Sequence, residues 1–219
     1  MNREERRRDE KIHSRKAGSM DSSAASSALL REAQMHHQSG RLDDAERAYR
    51  LMLDRAPTHP DALHGLGLLT YRRGDAKEAI GWLAQACAAD PRNAVYHFNH
   101  GVVLQRAGLP AEAVLAYSEA IRLNPRYLEP RTNLGNAYQE MGRPAEAQAA
   151  YEQALAINPN HAEAHNNLGV VLKAQGRLEA AAEAYRRAIG VDYACEKAHQ
   201  WLAETALAVA RDRARAARA

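Results

Sequence analysis

Aromatic residues are scarce in this 219-residue chain, which has one phenylalanine, two tryptophans and nine tyrosines. So thin a supply excludes a core built on stacked rings and suits close-packed, alanine-rich helices instead. Cysteine is scarcer still. Cys87 and Cys195 stand alone and far apart, with neither the spacing of a metal site nor the count of a disulfide framework. Two reduced thiols fit a cytoplasmic protein. No apolar run approaches the ~18 residues that cross a bilayer. The opening MNREERRRDEKIHSRKAG lacks the apolar stretch of a secretory signal. These absences predict a cytoplasmic chain without a membrane partner.

Charge of one sign is also missing overall, since 30 Lys and Arg face 27 Asp and Glu for a net +3. The excess sits at the ends. Residues 1–20 carry seven basic and four acidic side chains, and residues 211–219 carry four arginines and one aspartate. Basic tails can hold nucleic acid, but these are short, mixed in sign at the N-terminus and without aromatics for base stacking. Solvated, poorly ordered ends are predicted, and nucleic acid is not an expected partner.

What is present is a period. Gly40, Gly74, Gly108, Gly142 and Gly176 are each 34 residues apart, and an alanine follows each by five: Ala45, Ala79, Ala113, Ala147 and Ala181. A fixed interval of this size is the signature of a stacked helical repeat. Each unit contacts mainly its neighbours, so no central core is required. The predicted organisation is a tail over 1–25, units at 26–59, 60–93, 94–127, 128–161 and 162–195, a closing helix over 196–211, and an Arg/Ala-rich tail over 212–219. A helix-capping serine or aspartate is expected within Asp21–Ser27.

Within each unit a first helix of about fourteen residues runs to the glycine, and a second follows and stops near a proline. Pro57, Pro91, Pro125 and Pro159 hold that place, and Tyr193 replaces the fifth. Pro110 and Pro144 fall where second helices begin, where a missing N–H is harmless. Helices this short are marginal alone, so stacking supplies their stability. Ala33, Gly67, Gly101, Gly135, Gly169 and Ala203 form a small-residue register that lets paired helices approach. Tyr49, Leu83, Tyr117, Tyr151 and Tyr185 read as core, as do Leu66, Leu134, Leu168 and Leu202. Leu202, Ala203 and Ala206 are expected to pack inward from the closing helix.

These residues resemble the tetratricopeptide repeat family. The fourth unit carries the pattern most fully in Leu134, Gly135, Tyr138, Gly142, Ala147, Tyr151, Ala154 and Pro159. Pentatricopeptide repeats, which read RNA, run at a longer period. The family's tryptophan-like position holds Leu29, Leu63, His97, Arg131, His165 and His199, so that site is read as looser here. The resemblance implies an all-α fold, a right-handed α-solenoid of five repeats closed by a capping helix. First helices would line a concave groove that binds a peptide or partner protein.

Helical spacing then picks the groove-facing residues. Leu68, Tyr71 and Arg72 come from the second unit, and Phe98, Asn99, Val102 and Arg106 from the third. Asn133 and Asn136 come from the fourth, Asn166, Asn167 and Lys173 from the fifth, and Lys197 and Trp201 from the closing helix. Asn99, Asn133 and Asn167 share one register, similar to the asparagine ladder of O-GlcNAc transferase-type arms. An amide both donates and accepts, so it can satisfy a main chain without reading its sequence. Asn136, Asn167 and Lys197 also partly resemble a carboxylate clamp, but Thr132 and Trp201 stand where further cations would be needed.

No phosphate-binding loop, nucleophile elbow or metal-ligand spacing accompanies the repeats, although His97 and His100, and His161 and His165, could each share a helix face. The sequence therefore predicts a non-catalytic interaction scaffold for another protein or peptide, without cofactor, metal or small-molecule substrate. The alternative is the substrate-recruiting arm of a glycosyltransferase-type enzyme whose catalytic part lies elsewhere. Oligomeric state is open at this level.

Overall fold

Every turn glycine stops a helix in the same way. At Gly142 the backbone reaches φ +68°, a left-handed conformation natural to glycine. There the next N–H, on Arg143, turns back to the Tyr138 carbonyl at 2.9 Å. Arg41, Asp75, Leu109 and Arg177 make the same return bond at the other four turns, which satisfies carbonyls left over at each helix end. Proline at the first position starts three helices, and Asp75, Asn93 and His161 cap others by accepting from backbone N–H groups.

The computed structural model describes residues 25–217, and all regular structure among them is helical. The chain divides into two compact units, Met1–Pro91 and Arg92–Ala219. The first holds α1 (25–38), α2 (Leu42–Arg55), α3 (Pro60–Arg72) and α4 (Ala76–Ala89). Its core joins Ala33, Ala45, Tyr49, Met52, Leu66 and Leu69, with Leu29, Leu30 and Trp82 packed against them.

The second unit holds α5 (Ala94–Arg106), α6 (Pro110–Leu123), α7 (Leu128–Glu140), α8 (Pro144–Ile157), α9 (Ala162–Ala174), α10 (Leu178–Val191) and α11 (Glu196–Ala216). Each helix packs on the next, and the alternate helices α5, α7, α9 and α11 also touch in sequence. First helices thus lie side by side within this unit. The small-residue register works as close approach. A Cβ built on Gly135 would come 2.4 Å from the Tyr151 ring, so anything larger than hydrogen there forces the pair apart. Tyr117, Tyr151 and Tyr185 are fully buried.

Several expectations change. The predicted tail over 1–25 and most of the capping stretch from Asp21 lie outside the described residues, and residue 25 is already helical. The closing helix does not stop at 211 but runs to Ala216, because Arg211–Ala216 is a run of good helix formers with no glycine or proline to end it. Ala203 and Ala206 are exposed rather than inward, and Leu202 is half-buried. The inward face is instead Ala198 and Thr205.

Candidate functional site

Each unit carries a cleft on its first-helix faces. In the first, a cleft of about 500 Å³ is lined by Gln34, His37 and Gln38 of α1, Tyr49 of α2, and Asp61, His64, Gly65, Leu68 and Arg72 of α3. Arg72 is anchored by donating to the His37 carbonyl at 3.2 Å. The His37 and Tyr49 rings meet edge to face. Burial lowers the pKa of His64 to about 4, opposed by the charge on Asp61 and reinforced by His37. His37 is lowered too, by burial and then by Arg72. Both imidazoles are neutral at pH 7. Leu68 and Arg72 thus join one site, while Tyr71 is half-buried outside its lining.

In the second unit, a cleft of about 310 Å³ is lined by Val102, Gln105 and Arg106 of α5, Tyr117 of α6, and Asn133, Asn136 and Glu140 of α7. Its polar groups are already wired together. The Tyr117 hydroxyl donates to Gln105 Oε1 at 2.8 Å, and Gln105 Nε2 donates to Glu140 Oε1 at 2.7 Å. Asn133 faces the same Tyr117 hydroxyl and opposes the rise that burial gives its pKa. One unit on, the Tyr151 hydroxyl lies 2.6 Å from Asn136 Oδ1 and within reach of Gln139 Oε1. Asn167 donates to Asn136 Oδ1 at 2.9 Å and so joins the same cluster. Burial drives the pKa of both phenols up, so both stay protonated donors.

The three asparagines of the expected ladder are therefore not equivalent, open amides. Asn133 and Asn167 each face a buried tyrosine sixteen residues earlier, Asn167 is held by Asn136, and Asn99, half-buried, also has an interaction of its own. Asn166, expected on the groove face, is buried and donates to Asn167 Oδ1 at 3.2 Å. It shares its register with Thr132, which is buried as well. Phe98 packs its ring against Tyr127 and Tyr117, with centroids 5.2 and 6.1 Å away. Lys173 pairs with Glu204 at 2.8 Å, Trp201 leans on Tyr185 at 5.9 Å, and Lys197 is exposed. Among the described residues no group of three His, Cys, Asp or Glu could hold a metal ion, and no helix is long and apolar enough to cross a membrane.

The sequence matches the family description "Tetratricopeptide repeat" over residues 15–60, 30–94 and 132–198, and a second description, "TPR repeat", over 111–142. The chain belongs to the tetratricopeptide repeat family. Its fold is the family's all-α solenoid. Cellulose synthase 1 operon protein C of Komagataeibacter xylinus is 43% identical over 56 residues, which are 26% of this chain and 4% of that protein. The match thus spans a small part of a much longer relative. Among solved structures, MamA superposes with a TM-score of 0.71 at 24% identity, covering 77% of this chain and 92% of that one. YrrB gives 0.70 at 24%, covering 78% and 89%. PilF of Pseudomonas aeruginosa gives 0.69 at 23%, covering 86% and 92%.

Against that family pattern, the tryptophan-like position is filled rather than loose in this tetratricopeptide repeat protein. Buried Arg131 donates to the Tyr127 carbonyl at 2.7 Å. His165 Nε2 meets the Pro159 carbonyl at 2.8 Å, and His199 Nε2 meets the Tyr193 carbonyl at 2.9 Å. In α7, α9 and α11 a polar side chain there ties the first helix to the loop before it. The tyrosine–amide network was also missed, although its constant sixteen-residue offset is visible in Tyr117–Asn133 and Tyr151–Asn167.

Proposed function

We propose that this chain is a non-catalytic interaction module that holds an extended segment of another protein on its first-helix faces. The observation that carries the reading is the amide-lined cleft on α5, α6 and α7, where adjacent first helices present Asn133 and Asn136 beside Val102. Amides satisfy a main chain irrespective of sequence, and Val102 adds apolar contact. Each hydrogen bond contributes only about 0.5–1.5 kcal/mol net, so several must act together with apolar anchors. The fold neighbour YrrB is described as having an unusual peptide-binding site. That likeness carries the fold alone, so the cleft has to carry the function.

The test places a photo-cross-linking amino acid at Val102 and, separately, at Leu115, which is exposed on α6 outside the cleft lining. A partner captured through Val102 but not through Leu115, and lost from an Asn99/Asn133/Asn167→Ala variant of unchanged helical content, supports the reading. Equal capture at both positions, or none through Val102, refutes it.

A second reading is a recruiting arm for a separate glycosyltransferase-type enzyme. The observation that favours it is the naming of the relatives as cellulose synthase operon proteins, over a quarter of this chain. Co-purification of a glycosyltransferase through the Val102 cross-link supports it, and a partner without such an enzyme removes it.

A further inference from the structure

We infer that the α5–α6–α7 cleft seats one main-chain peptide group, its carbonyl on Asn136 and its N–H on Glu140, with Tyr151 as the residue that positions Asn136. The inference rests on the groove reading above and gives it a polarity and a contact residue.

The orientation of Asn136 follows from its neighbours. Its Oδ1 receives Asn167 Nδ2 at 2.9 Å and the Tyr151 hydroxyl at 2.6 Å. An amide oxygen offers two lone pairs, and both are taken. The Nδ2 end must then turn away from Tyr151, and among the described residues no group accepts from it. Asn136 lines the cleft, so what it offers a ligand is an N–H donor. Asn167 cannot do the same. Its Nδ2 donates to Asn136, and its Oδ1 takes the Asn166 amide.

The opposite polarity lies at Glu140. Hydrogen bonds run in one direction from Tyr117 through Gln105 to Glu140 Oε1, which leaves Oε2 for another donor. The cleft also balances in charge, because Arg106 and Glu140 both line it. A carboxylate would gain Arg106 and Asn136 but face Glu140, and a cation would meet the reverse. A neutral peptide group, with an acceptor and a donor on opposite edges, suits both ends. A volume of about 310 Å³ lies at the small end of ligand pockets, about 300–1,000 Å³, which fits a short length of chain.

The experiment follows the side-chain NH₂ resonances of Asn136 in the ¹⁵N-labelled full chain, with N-acetylglycine N-methylamide, acetate and methylammonium as probes at matched concentrations. The diamide is expected to shift Asn136 saturably and more tightly than either ion. Tyr151→Phe keeps the ring and removes the hydroxyl, which frees Asn136 to rotate. The variant is expected to weaken the diamide roughly 3- to 10-fold, the worth of one hydrogen bond, and to bind methylammonium better. A merely structural role for Tyr151 would weaken all three probes alike. Preference for acetate or methylammonium in the wild type overturns the peptide seat. An unchanged probe ratio in Tyr151→Phe overturns the positioning role. If no probe moves Asn136, the seat fails, while the cross-linking test can still succeed through other residues of the groove.

Discussion

Tyr151 and Tyr185 occupy the same place one repeat apart, and both are fully buried, yet their hydroxyls meet opposite fates. Around Tyr151 stand Asn136, Gln139 and Asn167, all within its hydrogen-bond network. One repeat later those positions are Val170, Lys173 and Trp201. There the Tyr185 hydroxyl has no hydrogen-bond partner, and burial, then the charge of Glu204, raises its pKa to about 12. The ring is thus a repeat-wide packing device, whereas the hydroxyl finds a partner only where the first helix of its own repeat carries an amide. The amide–phenol network of the groove face ends between α9 and α11, where the Lys173–Glu204 ion pair stands instead.

The largest effect should be blind to that difference. Tyr151→Ala and Tyr185→Ala each remove a buried ring packed against a glycine, Gly135 and Gly169 respectively. Each should cost about 3–5 kcal/mol in denaturant unfolding. A cost near zero at either site would mean that the ring does not hold its helix pair.

The next largest contrasts these phenols with the histidine cleft around Tyr49. His64 in the folded chain resists protonation until about pH 4, while an unfolded imidazole takes its proton near 6.5. Below pH 6.5 the unfolded state therefore binds more protons, and stability falls as pH drops from 6.5 to 4, then levels off. The loss from this group is on the order of 2–3 kcal/mol, and His37 acts in the same direction. His64→Gln should flatten much of the slope in unfolding measured across this range. The tyrosine network does not titrate there, so an equal slope in the variant would place the acid sensitivity elsewhere.

Removing only the hydroxyls should separate the two tyrosines. Tyr151→Phe strips the donor from Asn136 and should cost about 1–2 kcal/mol. Tyr185→Phe removes a buried group that has no partner and should be neutral or stabilising by up to about 1 kcal/mol. Unfolding midpoints that move in the same direction for both would refute the contrast.

How much of this was legible depends on whether the cause is local or cross-repeat. The turn glycines, the proline stops and the Gly135–Tyr151 type of contact repeat at a fixed interval because geometry demands the same residue each time, and the sequence shows them directly. The asparagine register was equally visible, but its meaning was not. Whether Asn167 faces a peptide or a buried phenol depends on a side chain sixteen residues earlier, on another helix. Arg131, His165 and His199 looked like lapses from an aromatic consensus because a hydrogen bond to a loop carbonyl leaves no pattern in residue type. The reach of α11 to Ala216 was hidden by reading arginines as a tail, when their helix propensity is high.

The smallest effect would rebuild the missing partner. Lys173 lies twelve residues before Tyr185, as Gln105 lies before Tyr117 and Gln139 before Tyr151, and each glutamine places Oε1 within hydrogen-bond reach of its tyrosine hydroxyl. Lys173→Gln gives up a partly exposed ion pair with Glu204, which is worth about 0–1 kcal/mol. In exchange it brings an amide oxygen to the orphaned hydroxyl. The decisive quantity is the coupling in a double-mutant cycle with Tyr185→Phe. In the wild type the hydroxyl is a burden, so its removal is neutral or favourable. In the Lys173→Gln background its removal should cost about 0.5–1.5 kcal/mol, the net worth of one hydrogen bond. A coupling energy of zero would mean that Val170 and Trp201, rather than the loss of the glutamine, leave Tyr185 unanswered.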